Sequence, residues 1–106
     1  MSTPKTESLL QNRIKKQLLA EWPGSWIVKI HGGPFQAAGI PDLVGCIEGR
    51  FVGLEVKLPD DSSRATKIQE STLSAIRRAG GLGTVVWSPA QAVAIVSEYL
   101  EETTDE

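Results

Sequence analysis

The chain has 106 residues, 41% of them hydrophobic and 23% charged, with a formal net charge of -2, which is material for one core and one domain spanning residues 1–106. No run approaches the roughly 20 apolar residues that cross a bilayer, and the polar start Met1-Ser2-Thr3-Pro4-Lys5 is unlike a signal peptide, so a cytoplasmic protein with no membrane contact is expected. Cys46 is the lone cysteine; no intrachain disulfide or zinc-type Cys/His spacing is possible, and its place between Gly45 and Ile47 reads as core.

Charge is unevenly spread. Glu98, Glu101, Glu102, Asp105 and Glu106 crowd the end of the chain, so residues 1–97 carry eleven bases against eight acids. A mildly basic body permits phosphate binding without requiring it.

From Thr6 to about Glu21, Leu10, Ile14 and Leu18 recur every four residues, with Gln11, Lys15 and Lys16 off that stripe, which predicts an amphipathic helix ended by Trp22-Pro23-Gly24. Trp26 to Ile30 reads as a strand. His31-Gly32-Gly33-Pro34-Phe35-Gln36-Ala37-Ala38-Gly39 follows as a loop of residues that tolerate unusual backbone angles. Leu43–Ile47 and Phe51–Val56 are apolar runs parted by Glu48-Gly49-Arg50, a hairpin signal. A second helix is predicted from about Ser63 or Thr66 to Ala79, with Ile68, Leu73 and Ile76 inward and Gly80-Gly81 as its stop. Thr84–Trp87 reads as a last strand. Ser88-Pro89 then caps a helix whose Val93, Val96 and Leu100 face the core, and the acidic tail from about 101 to 106 is expected to fray. The order predicts an α/β fold: an αβββαβ core with a mixed central sheet flanked by helices, plus a C-terminal helix.

Within this pattern Asp42, Glu55 and Lys57 are out of place, since they lie in or beside strands otherwise built of Val, Leu, Ile, Gly and Phe. Alternation puts Glu55 and Lys57 on one face of their strand. A two-residue turn at Gly49-Arg50 sets Asp42 opposite Lys57, one at Glu48-Gly49 sets it opposite Glu55, and an odd-length loop without a bulge turns Asp42 to the other face. Two carboxylates side by side in a low dielectric repel each other unless a positive charge joins them. Mg²⁺ or Mn²⁺, which take oxygen ligands and retain water, meet that need; so does a salt bridge from Lys57. Glu7 precedes Leu10 and Ile14 by three and seven residues and so falls on the buried stripe of the first helix, although an acid in a first turn also complements the helix dipole. Gln69 shares a face with Leu73 and Ile76, and Thr66-Lys67-Ile68-Gln69 equally forms a capping box.

Gly39-Ile40-Pro41-Asp42-Leu43, then Glu55-Val56-Lys57, then Gln69 on the following helix, together with the helical Glu7, resemble the PD-(D/E)XK nuclease superfamily with its restriction endonuclease-like core. The order and short length resemble a stand-alone VRR-NUC domain, over about Glu7 to Trp87. The resemblance implies a Mg²⁺- or Mn²⁺-dependent endonuclease acting on DNA, similar to Holliday junction resolvases that work as homodimers on branched substrates. It implies Asp42, Glu55 and the Val56 carbonyl as metal ligands and Glu7 as a ligand through water. By the same resemblance Lys57 stabilises the attacking hydroxide or the phosphate, and Gln69 orients Lys57 or the nucleophile. Many relatives carry Ser and Pro near the start of the second helix, where this chain has Arg64-Ala65-Thr66-Lys67. Lys5, Lys15, Lys16, Phe35, Arg64 and Lys67 are candidate DNA contacts, Phe35 by stacking, while His31 is assigned no catalytic role. Rival readings are an inert DNA-binding or interaction module of the same fold, and a nuclease for linear or nicked DNA.

Overall fold

The computed structural model describes residues 6–31, 38–59 and 64–104. The elements run α1 (Glu7–Glu21), β1 (Trp26–Lys29), β2 (Leu43–Ile47), β3 (Arg50–Val56), α2 (Lys67–Arg78), β4 (Leu82–Val86) and α3 (Pro89–Thr104). Both the element order and the mixed sheet match the αβββαβ-plus-helix expectation. The strands lie in the order β1-β2-β3-β4, with β1, β2 and β3 antiparallel in sequence and β4 parallel to β3.

Each strand alternates between two helical layers. Leu43 and Ile47 of β2 and Val52, Leu54 and Val56 of β3 point into one core with Leu10, Ile14 and Leu18 of α1 and Ala92, Val96 and Leu100 of α3. Each large aliphatic side chain so buried contributes about 1.5–3 kcal/mol. On the other face lies α2, and its approach is close because β3 and β4 present glycines there. A Cβ at Gly83 would stand 2.6 Å from the Leu73 carbonyl oxygen, and one at Gly53 would stand 2.8 Å from Ile76 Cδ1.

Several local expectations are corrected by this packing. Cys46 is exposed, not core, because its face of β2 lies beyond the reach of α2, beside Trp26 on β1 and Phe51 on β3. Ile68 is 57% exposed; it precedes the turn of α2 that meets the sheet, and it borders the Gly39 turn instead. Gln11 is buried at the edge of the α1 stripe. The terminal helix persists through Thr104, well into the acidic tail, with the buried Leu100 holding it to the core. Strand β4 begins two residues earlier than expected and releases Trp87.

The β2–β3 connection determines where Asp42 stands relative to Glu55. Ile47 pairs with Arg50, so the turn is the two residues Glu48-Gly49. Both have positive φ, 49° and 79°, the backbone of a type I′ hairpin turn that matches the strand twist. Glu48 bears the cost of that conformation, since a side chain in the left-handed region is disfavoured unless it is Asn, Asp or Gly. Glu48→Asn is therefore expected to stabilise the protein by about 0.5–1 kcal/mol, seen as a raised midpoint in urea with an unchanged slope. A lowered midpoint would contradict this reading of the turn.

Candidate active site

Asp42 stands one residue before β2. Leu43 pairs with Leu54, so continuing the register by one residue places Asp42 opposite Glu55, on the α2 face. Its backbone is fixed from the other side as well, where Ile30 N–H donates to the Asp42 carbonyl at 2.8 Å. Of the alternatives open to the hairpin, the structure has the one that brings the two carboxylates side by side.

The side chains are held by specific bonds. Val56 N–H donates to Asp42 Oδ2 at 2.8 Å, and because N–H and C=O of a strand residue leave the same edge, the Val56 carbonyl lies on the Asp42 side of β3. Gln69 Nε2 donates to Glu55 Oε2 at 3.0 Å. Its other amide atom, Oε1, accepts from Thr66 N–H at 2.8 Å, while Thr66 Oγ1 accepts from Gln69 N–H at 3.2 Å. Gln69 is thus a helix cap and a site residue at once, and the cap fixes which end of its amide faces Glu55. It reaches Glu55 rather than Lys57. The Lys57 ammonium lies 4.0 Å from the same Glu55 oxygen, so the salt-bridge reading holds in part.

Glu55 is only 2% exposed. Its second oxygen, Oε1, is buried with no donor to satisfy it when the carboxyl is ionised. Burial first, then the charge of Asp42 and a hydrogen bond with it, and more weakly the charge of Glu7, push the Glu55 carboxyl up to about 8, with Lys57 pulling the other way. A protonated Glu55 relieves the repulsion at neutral pH; a cation between the carboxyls would relieve it better and satisfy Oε1. Among the described residues no three His, Cys, Asp or Glu side chains gather as a metal site. The donors that fit a hard cation are two carboxylates and a backbone carbonyl, with water to complete an octahedron.

Glu7 is half-buried in the first turn of α1, which Thr6 caps by accepting from Leu9 N–H at 3.1 Å. Its position is thus both on the inward edge of α1 and in the first turn, where an acid complements the helix dipole. Lys29 was not singled out by the sequence, yet its ammonium bonds Ser8 Oγ at 2.6 Å and Asn12 Oδ1 at 3.3 Å, tying the first turns of α1 to β1 and so setting where Glu7 stands. The available signal was alternation: Lys29 shares the inward parity of Ile27, which is buried.

Other candidates are scattered. Arg64 and Lys67 lie at the start of α2, and Arg64 borders a cavity shared with Lys57. Lys15 and Lys16 sit eight and nine residues along α1 from Glu7, about 12 Å further on at 1.5 Å per residue, and do not join the site. Lys5 and Phe35 lie outside the described residues. His31, two residues after β1, is exposed.

Two solved structures are similar to the whole fold that carries this geometry. One, named "VRR_NUC domain", superposes with a TM-score of 0.62 at 22% identity, covering 84% of this chain and 96% of its own. The other, a "VRR_NUC domain protein", has a TM-score of 0.62 at 16% identity, covering 86% and 88% respectively. The chain has the VRR-NUC fold. No protein-family model matches the sequence, and no curated protein does. The fold is therefore shared with little sequence in common, while the side chains of Asp42, Glu55 and Lys57 lie on the sheet face that Gln69 of α2 meets.

The raised Glu55 carboxyl has a definite linkage to folding. The folded protein holds this proton up to about pH 8, while the unfolded chain loses it near 4.5, so the folded state binds more protons in between. The associated stability is full below pH 4.5 and is lost as pH rises to about 8. In EDTA, wild type is expected to lose stability between pH 5 and pH 8.5 relative to Glu55→Gln, which keeps the shape and cannot ionise. Thermal melts across that range check it, and parallel curves for the two proteins would refute it.

Proposed function

We propose that this protein is a Mg²⁺- or Mn²⁺-dependent endonuclease that hydrolyses DNA phosphodiester bonds, with branched or four-way junction DNA as substrate. The observation that carries this is the Asp42–Glu55 pair: two carboxylates opposed on adjacent strands, one of them buried with an unsatisfied oxygen. The VRR-NUC fold supports the same reading.

In this reading Asp42 and Glu55 hold the cation, the Val56 carbonyl supplies a third oxygen, and Glu7 contributes through a water molecule. When bound, the cation supplies Lewis acidity, lowering the pKa of water and drawing charge from a phosphoryl oxygen. Lys57 projects from the same face two residues beyond Glu55 and offers a positive charge to the hydroxide or to the negative charge that grows on phosphorus. Gln69 restrains Glu55 Oε2, which leaves Oε1 as the oxygen available to the cation. Val56 N–H restrains Asp42 Oδ2 in the same way. Both carboxylates are thus oriented before any ligand arrives, which limits the reorganisation needed during reaction.

A symmetric homodimer fits the surface. Trp26 and Phe51 are 64% and 47% exposed, and the exposed Cys46 pairs with both across the strands. Water-exposed aromatics on one sheet face, here flanking Cys46, are the composition of an interface. An isologous pair would carry two sites related by a two-fold axis, as in a four-way junction.

Cleavage and metal binding test the chemistry. With Mn²⁺, wild type should cleave four-way junctions faster than flap, nicked or linear duplexes, and Lys57→Ala should lower the rate by about 10²-fold. Asp42→Asn should abolish Mn²⁺ binding in calorimetry, while its amide oxygen still accepts from Val56 N–H. Equal cleavage by wild type and Lys57→Ala, or equal Mn²⁺ binding by wild type and Asp42→Asn, would favour the inert module; preferred cleavage of linear or nicked DNA would replace the substrate. For the dimer, gel filtration should give twice the chain mass and a short bis-maleimide should link Cys46 to Cys46. A monomer on the column would remove the two-fold arrangement.

A further inference from the structure

Trp87 comes directly after β4, at the register position beside Lys57. Val56 pairs with Val86 and Glu55 with Val85, and the ladder continues through Lys57 N–H, which donates to the Val86 carbonyl at 3.1 Å. Residues 85 and 87 therefore share the sheet face of Glu55 and Lys57, one strand spacing of about 4.8 Å away. Trp87 is 40% exposed there.

The backbone that carries it is restrained. Trp87 N–H donates to Gln91 Oε1 at 2.6 Å, and Gln91 N–H donates to Ser88 Oγ at 3.0 Å, so the first turn of α3 holds Trp87 in place. Between this ring and the start of α2 lies a cavity of about 220 Å³, lined by Lys57, Arg64, Ala65, Glu70, Val85 and Trp87. Cavities of about 150 Å³ accommodate a benzene ring, so this one has room for a single nucleobase. Its walls combine one aromatic and two aliphatic side chains with two cations and one anion, the mixture that suits a ring attached to a phosphate.

We propose that this cavity is a nucleobase subsite, in which Trp87 stacks on an unpaired base of the strand being cut and Arg64 contacts its backbone. The inference rests on the nuclease reading of the neighbouring carboxylates, because it takes the phosphate at Lys57 as the point from which the base is reached. It gives the protein a means of favouring DNA with unpaired bases near the scissile bond, as at junctions and flaps, without reading their identity, since every base has a π-face.

The test separates stacking from charge. Binding of the 106-residue chain in EDTA is measured by fluorescence anisotropy with two labelled single strands of about 15 nucleotides, oligothymidylate and an abasic strand of equal length. Wild type should prefer the base-bearing strand by about tenfold, the scale of one stacked base. Trp87→Phe should retain most of that preference. Trp87→Leu, which keeps an apolar side chain for packing, should lose it while binding the abasic strand as wild type does. Circular dichroism melts verify that the variants fold; if Trp87→Leu does not, Trp87→Met, apolar and unbranched, is measured in its place with the same expected loss. Absence of a preference in wild type, or its survival in Trp87→Leu, overturns the subsite. If wild type also cleaves junctions with Mn²⁺, only this proposal fails; if it neither binds nor cleaves any DNA, the nuclease reading fails with it.

Discussion

The β2–β3 hairpin turn is the constraint on which the site depends. Two residues, Glu48 and Gly49, reverse the chain with positive φ and set a register in which Asp42 faces Glu55. A slip of one residue would carry Asp42 to the other face, among Leu43's neighbours in the core, where a carboxylate has no partner. Because register is enforced by every apolar side chain that the strands bury against α1 and α3, the position of two charged residues is held by the burial of many uncharged ones. The repulsion between the carboxylates is thus imposed by the fold and cannot relax by moving apart. Together with burial, which is the larger cause, it pushes the Glu55 carboxyl up to about 8.

The same groups serve folding and site geometry. Gln69 closes the first turn of α2 through Thr66 and donates to Glu55 from the other end of one amide. Removing it would take the capping acceptor from the Thr66 amide and a hydrogen-bond donor from Glu55 Oε2, so its role in stability and its role beside Glu55 are not separable by truncation alone. Lys29 couples α1 to β1 in a comparable way, as a cation fixing the turn that bears Glu7. Helix positions, and with them the outer members of the site, are set by polar contacts near the ends of helices, while the centre is set by strand register.

The two faces of the sheet also divide the labour. On one, α1 and α3 complete an aliphatic core. On the other, α2 covers only the β3–β4 side, made close by Gly53 and Gly83. That partial cover leaves the carboxylate row open at one end and the Trp26–Cys46–Phe51 strip uncovered at the other, so proposed chemistry and proposed assembly occupy opposite margins of one half-covered surface.

Much of this was legible in the chain itself. The four-residue recurrence of Leu10, Ile14 and Leu18, the paired apolar runs around Glu48-Gly49, and the charged residues at odds with their strands predict the element order and nominate Asp42, Glu55, Lys57 and Gln69, because periodicity and local turn chemistry are properties of neighbours in sequence. What sequence could not assign was cover. Cys46 and Ile68 look like core by composition and are exposed, and Gln11 looks like surface and is buried, since burial depends on which element lies above a residue. Which of the possible turns forms, which end of the Gln69 amide meets Glu55, and how far Lys15 and Lys16 stand from Glu7 were likewise decided only in three dimensions, where packing of distant segments selects one register and one helix position among those that local preferences allow.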